Sequence, residues 1–349
     1  MRERVRRLTQ QLVTLSAVYV AAFVAGFVAT RLGVPLGWMI GPMCAGAATT
    51  LVFNHDAPPV ALRVIGQLVI GGALGLHMTP EAFDRVIANT IPIVLGALLL
   101  TCAAIVYGVL QSRFFGTNRA TALYSVVPGG PIEMAVLAAR NGGDGARTAL
   151  AQTLRIVCVV VFFPPALTIA SATAPHAAGI AGGWPDTALL IAIATFAGLA
   201  AGLIRLTSPF FLGPMIVVGA LAASGMPLHG HHEGVIPAGQ ILLGVSLGSM
   251  FRRDLLQGAR QFLLGALLST VFLIGVSAAV SLALASAFDI DLPTMMLANA
   301  PGAVTEMVIT AEVLRLDVAT VASFQFVRIM IALLLVGMMD RVLRRIMPS

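Results

Sequence analysis

Long apolar runs follow one another along almost the whole chain, and most of the charge sits in short gaps between them. Stretches such as Leu98–Val109 and Ile331–Met338 carry no charge at all. A water-soluble core cannot absorb so many runs, but a bilayer can, because each long run matches a membrane-crossing helix. The strands of a membrane β-barrel would instead alternate apolar and polar residues. Composition supports the same reading: 58% of the 349 residues are hydrophobic and 10% are charged, with mean hydropathy +0.95. A soluble domain has about 25% charged residues. A single leader or anchor could not move the average of the whole chain this far. The fold class expected is therefore an all-α polytopic membrane protein, with the lipid bilayer as its first partner.

The net charge is +6, and all 21 basic residues are arginine. In a membrane chain this reflects basic cytoplasmic loops. No polar stretch is long enough to fold as a nucleic-acid-binding module, so no nucleic-acid partner is expected. Cys44, Cys102 and Cys158 all lie in apolar segments and read as small core residues, with no disulfide framework. The basic segment Met1–Arg7 leads into an apolar run with no small-residue cleavage site, which reads as an uncleaved first helix.

The chain also repeats itself. Gly66–Gly75 matches Gly239–Gly248, and the offset, 239 minus 66, is 173 residues. Pro128-Gly129-Gly130-Pro131-Ile132-Glu133-Met134 matches Pro301-Gly302-Ala303-Val304-Thr305-Glu306-Met307 at the same offset. So does Gln152-Thr153-Leu154-Arg155-Ile156 with Gln325-Phe326-Val327-Arg328-Ile329. Gly41-Pro42-Met43 and Gly213-Pro214-Met215 stand 172 apart. The division expected is repeat one at 1–170, an outer linker at 171–185 and repeat two at 186–349.

Each repeat holds six apolar runs. The runs at 118–139 and 293–314 are interrupted by Pro128-Gly129-Gly130-Pro131 and by Pro301-Gly302. A helix does not pass smoothly through such a break, and in lipid the break survives only inside protein or beside a water-filled cavity. Arginine placement selects a topology. If the broken runs cross, Arg252, Arg253 and Arg260 fall outside and the uncharged Ser171–Pro185 falls inside. If each broken run enters and returns as a re-entrant hairpin, each repeat crosses five times and the second is inverted. Met1–Arg7, Arg113, Arg119, Arg140, Arg147, Arg205, Arg252, Arg253, Arg260, Arg341, Arg344 and Arg345 are then inside. Arg31, Arg85 and Arg315 fall outside. The architecture expected is two inverted repeats, each of five transmembrane helices and one re-entrant Pro-Gly hairpin, with both termini cytoplasmic.

Inverted repeats with broken segments near the midplane are the architecture of secondary transporters. The candidate substrate- or ion-binding residues are Pro128, Gly129, Gly130 and Glu133 in one repeat, and Asn299, Pro301, Gly302 and Glu306 in the other. Gln152 with Arg155, and Gln325 with Arg328, join them. Each intramembrane charge costs about 2.5–3.5 kcal/mol on insertion scales, so it needs a partner or a cavity. Two readings stay open. Glu133 pairs with Arg155 or Arg328 and pins hairpin to helix. Alternatively, the glutamates bind a proton or cation while arginine and glutamine hold an anionic solute, since each Gln/Arg pair is spaced i, i+3 on one helix face. Gln67 and Gln240 lie in Gly-rich helices and read either as interhelical glue or as pathway lining.

Gly37-Trp38-Met39-Ile40-Gly41-Pro42 and Pro128–Met134, with their second copies, resemble the AbrB-type membrane proteins over nearly the whole chain. The resemblance implies a bacterial inner-membrane protein of an internally duplicated family. Members are often labelled regulators of gene expression, some ammonia monooxygenases, and the family is grouped with cation/proton antiporter and anion transporter folds. The name is shared with a soluble DNA-binding regulator that this chain does not resemble.

No nucleophile–base pair and no metal-ligand constellation stands out, so no enzyme activity, cofactor or metal is expected. His229-Gly230-His231-His232-Glu233 reads as a solvated outer loop. The leading function is secondary transport of a small, anionic solute coupled to protons or a cation. The other is a membrane regulator of gene expression that senses a ligand and signals through a partner protein. A homo-oligomer is compatible with either.

Overall fold

The computed structural model of the chain describes residues 2–53, 58–170, 182–204, 206, 208–251, 253 and 260–346. Most of the linker expected at 171–185 lies outside the described residues. All the regular elements among the described residues are α-helices. They are α1 (Arg2–Arg31), α2 (Gly37–Phe53), α3 (Val60–Gly75), α4 (Pro80–Ala88), α5 (Thr90–Phe114), α6 (Arg119–Val126), α7 (Pro131–Arg140) and α8 (Gly145–Ala170). The chain continues with α9 (Trp184–Leu203), α10 (Pro209–Ala223), α11 (Val235–Gly248), α12 (Arg260–Phe288), α13 (Leu292–Asn299), α14 (Val304–Val313) and α15 (Val318–Ile346). Six of them, α1, α5, α8, α9, α12 and α15, hold a stretch long and apolar enough to cross a membrane. The protein is thus a helical, multi-pass membrane protein. The apolar helices α2, α10 and α11 are shorter, with 17, 15 and 14 residues.

The bounds of the broken pairs recur at the offset found in the sequence: α6 and α7 correspond to α13 and α14, end for end. The cause is local. Asn118 caps α6 by accepting from the amides of Ala120 and Thr121, and Asp291 caps α13 by accepting from Thr294. The residues before Pro128 and Pro301 are forced out of the α region. Val127 (ψ 124°) and Ala300 (ψ 135°) are extended, and there the helices stop. Gly130 (ψ 136°) and Ala303 (ψ 154°) are extended too, and the returning helices start immediately after them. Pro131 opens α7, where its missing N–H costs nothing. Asp144 and Asp317, also 173 apart, cap the following helices by accepting from the amides of Arg147 and Thr320.

The chain forms two compact units, and each draws on both sequence halves. One comprises Met1–Leu76, Ala178–Val218 and Pro227–Asp254. In it α2 packs against α1 and α11, and α3 packs against α9 and α11. These contacts are backbone-close: a Cβ added to Gly41 would lie 2.4 Å from the Ala25 carbonyl, and one on Gly248 2.1 Å from that of Met43. Small residues allow this approach between membrane helices. The other unit comprises His77–Ala177, Gly219–Met226 and Leu255–Ser349. In it α5 packs on α6, α12 and α15. The first broken pair lies against α8 and the second against α15.

The cysteines are not core residues: Cys44 and Cys102 are exposed and Cys158 is partly so. In a bilayer a small apolar thiol faces lipid as readily as protein, so apolar surroundings in sequence did not fix its side.

Candidate functional site

The second unit brings twelve of the fourteen candidate residues together around the two helix breaks. At the first break, Gln152 Nε2 donates to the carbonyls of Tyr124 (2.7 Å) and Val127 (2.8 Å). Arg155 donates through NH1 to Val126 (2.9 Å) and Ser125 (3.4 Å), and through NH2 to Gln152 Oε1. At the second break, Gln325 Nε2 donates to Leu297 (2.8 Å) and Ala300 (3.2 Å). Arg328 donates through NH1 to Asn299 (3.4 Å) and Ala300. Its NH2 donates to Gly302 (3.0 Å) and to Gln325 Oε1 (2.5 Å). The two amides make the same pair of bonds one repeat apart.

The chemistry of this arrangement is that of a helix terminus. The last carbonyls of α6 and α13 lose their intrahelical partners at the breaks, and they carry the negative end of the helix dipole. A Gln and an Arg one turn apart on a neighbouring long helix supply the missing donors and a matching positive charge. Arg155 and Arg328 are each 2% exposed. Among the described residues neither forms an ion pair. The described pairs are His77–Glu312, Arg85–Asp317, Arg147–Asp144 and His229–Asp186. Each charge-assisted hydrogen bond is worth about 1.5–3 kcal/mol. Several per guanidinium therefore outweigh an insertion cost of about 2.5–3.5 kcal/mol.

The glutamates sit on the other side of each break. Glu306 is the third residue of α14 and 4% exposed, so its carboxylate meets the positive end of that helix. Glu133 is the third residue of α7; its side chain lies outside the described residues. Pro128, Pro301 and Gly302 are buried, whereas Gly129 and Gly130 are partly exposed. Neither Gly129 nor Gly302 adopts a left-handed φ. Each is glycine because a methionine folds back over it. A Cβ on Gly129 would lie 2.8 Å from Met134 Cγ, and one on Gly302 3.1 Å from Met307 Cγ. Asn299 donates to Ser281 Oγ (3.3 Å) and to the Met295 carbonyl (3.2 Å).

The sequence profile of the family described as "Transition state regulatory protein AbrB" matches residues 38–344. The chain belongs to the AbrB family. Among similar proteins, "Uncharacterized protein YhjN" of Bacillus subtilis (strain 168) is 25% identical over 341 residues, covering 89% of this chain and 88% of that protein. "Putative regulator AbrB" of Escherichia coli (strain K12) is 26% identical over 319 residues, covering 85% of this chain and 86% of that one.

Two candidates of this AbrB-family chain lie elsewhere. Gln67 and Gln240 belong to the first unit, on α3 and α11, and both are buried. Beside them Gly66 and Gly239 bring the two helices close: a Cβ on Gly66 would lie 2.9 Å from the Gly239 carbonyl. The histidine loop is not simply solvated. His231 is 5% exposed, and its Nε2 lies 3.1 Å from the Val69 carbonyl on α3. His232 stacks on Trp184 at 4.5 Å, and its backbone amide donates to Thr187 Oγ1. The His231–Val69 pairing spans 162 positions and is invisible to local pattern. Burial pushes His231 below its ordinary pKa, against a smaller opposite effect of the Val69 hydrogen bond. Sequence reasoning also missed Met134 and Met307. Their signal was present, since each closes its repeated Pro-Gly motif. Ser281, Thr101, Ser125 and Ser277, all buried polar residues of the second unit, had no periodic signal to reveal them.

Proposed function

We propose that this AbrB-family protein is a secondary transporter of a small, anionic solute, coupled to protons or another cation. The observation that carries the reading is the pair of helix breaks, each holding a buried guanidinium that forms no ion pair among the described residues, in a chain of membrane helices. Two fixed positive charges favour an anion in the space beside the breaks. The half-helix starts at Gly130 and Ala303 add amide donors to that field. Glu133 and Glu306 are the coupling groups: each can take up a proton or a cation as the solute arrives.

In this reading the two halves are inverted, with ten crossings, two hairpins entering from opposite faces, and both termini cytoplasmic in the bacterial inner membrane. Exchange of the two halves' conformations then gives alternating access. Nothing in the reading calls for bond-making chemistry, a cofactor or a metal, and nucleic acid is not a partner.

The printed name of the Escherichia coli relative favours a second reading, a membrane regulator that senses a solute and acts through a partner protein. The deciding experiment is a thermal-shift screen of the purified protein against small carboxylates and inorganic anions, followed by uptake into liposomes. A stabilising anion that accumulates in a proton- or cation-dependent way supports transport. Stabilisation without flux supports sensing. No response to any anion sinks the proposal of an anionic solute.

A further inference from the structure

The side-chain Nε atoms of Arg155 and Arg328 occupy equivalent places, one repeat apart, yet they are treated differently. Arg155 Nε donates to the Pro301 carbonyl at 2.9 Å, so the first repeat's arginine reaches the second repeat's break. Arg328 remains on its own break through NH1 and NH2. Its Nε is buried with no hydrogen-bond partner among the described residues. The equivalent of Pro301 is Pro128, and no bond from Arg328 to Pro128 is formed. The surroundings differ at one equivalent pair: Gly302 is buried where Gly129 is partly exposed, while Pro128 and Pro301 are both buried and Gly130 and Ala303 both partly exposed.

A buried N–H without an acceptor is a standing cost. It is tolerated where another arrangement uses it. The mirror arrangement would satisfy Arg328 Nε with the Pro128 carbonyl and release Arg155 Nε from Pro301. It has the same number of hydrogen bonds and the same charges, so the two arrangements are near in energy. Such a pair is bistable rather than continuously deformable.

We propose that Arg155–Pro301 and Arg328–Pro128 are alternative closing bonds, and that the two arginines are positioning residues that set which helix break is buried. The second break is closed by Arg155 in the present state. In the opposite state Arg328 closes the first break, and the second opens. This rests on the transport reading and deepens it, since it names the bond that distinguishes the two access states.

Lysine keeps the charge and a terminal donor but has a methylene in place of Nε and no NH1/NH2 fork, so loss of Arg155's own bonds would loosen the first break, whereas loss of its closing bond to Pro301 buries that break. Single cysteines at Gly130 and Ala303, equivalent positions just after each break, would report on opening in a protein lacking Cys44, Cys102 and Cys158. The readout is the rate of reaction with a small water-soluble maleimide in detergent. Arg155→Lys should slow position 130 and speed position 303, each by roughly tenfold, the scale of one lost charge-assisted hydrogen bond. Arg328→Lys gives up its NH1 and NH2 bonds at the second break together with the donor that would close the first, so position 130 should not slow in it. Unchanged rates in Arg155→Lys overturn the proposal, as do shifts in the same direction at both positions.

If Arg155→Lys does not fold, the wild-type protein decides. With nitrogen-15-labelled arginine, the buried Nε–H signal removed by Arg328→Lys should exchange with a second buried Nε–H signal. Two signals that never exchange overturn the proposal. Loss of uptake with the exchange intact would remove the transport reading alone. Uptake without the exchange would remove the switch alone.

Discussion

Arg155 and Arg328 donate to successive carbonyls of one helix break, Arg155 to Pro301 and Arg328 to Gly302. Two buried cations thus share a single turn of irregular backbone. They hold it in a form that hydrocarbon alone would not tolerate. The breaks therefore depend on side chains from α8 and α15, and their removal has calculable consequences.

Replacing Gln325 with Leu should take one donor each from the Leu297 and Ala300 carbonyls, which keep the Ala300 amide and Arg328 NH1, and the Oε1 acceptor from Arg328. Each lost hydrogen bond costs about 0.5–1.5 kcal/mol, more where a charge is involved, so the thermal midpoint in detergent should fall clearly. Gln152→Leu should behave alike, because it serves Tyr124 and Val127 in the same way. A midpoint unchanged in both variants would show that water takes over these carbonyls.

Gly129→Ala should destabilise by about 1–3 kcal/mol through overpacking against Met134. A double variant with Met134→Ala should recover part of that loss, giving a measurable coupling energy in a double-mutant cycle. Additive losses would mean the two residues do not meet.

Glu306→Gln keeps the shape and most hydrogen bonding of the first turn of α14 but cannot titrate. The protein should insert and remain monodisperse, while ion-coupled uptake is lost. Full coupled activity in both Glu306→Gln and Glu133→Gln would assign the coupling to other groups.

His231 should make the first unit pH-sensitive. Its folded pKa is depressed by burial, so its stabilising contribution is present above the ordinary histidine range, about 6.5, and is lost as pH falls below it. Asp186, His229, His232 and Glu233 lie nearby, with His229 Nδ1 3.5 Å from Asp186. Thermal midpoints measured from about pH 8 down to 5 should therefore drop further for the wild type than for His231→Gln. Parallel curves would show that His231 stays neutral or leaves its site without cost. His231→Ala should itself lower stability, unlike replacement of the more exposed His229.

Inverted halves predict that a cysteine at Asp144 labels from the cytoplasmic side and one at His176 from the outside. Labelling of both from one side in sealed vesicles would refute the topology.

Much of the candidate site was legible in the sequence because its parts are local and repeated. Pro128 and Pro301 end their helices through steric effects on the preceding residue, and any reader of the chain can place those breaks. The spacing of Gln152 from Arg155, and of Gln325 from Arg328, put each pair on one helix face, as the hydrogen bonds show. What those pairs would bind was not legible. An arginine in an apolar run calls for an acceptor, but a carboxylate, a solute and a bare carbonyl answer that call equally well. Only packing brought α8 against α6, and α15 against α13, so that carbonyls freed by the breaks took the donors.

The sequence alone determined that the chain enters a bilayer, that its helices break at two Pro-Gly sites, and that one half echoes the other. These follow from hydropathy, backbone sterics and residue identity, which act over a few neighbours. The tertiary structure decided which halves contribute to which compact unit, that His231 is buried against Val69, and that Arg155 bonds to Pro301. These depend on contacts between residues 146 or more positions apart, and no local preference encodes such a pairing. The difference between the two equivalent arginines belongs to this second class. A repeated sequence gives both the same local choices, and only the packed chain can satisfy one Nε while leaving its counterpart without an acceptor.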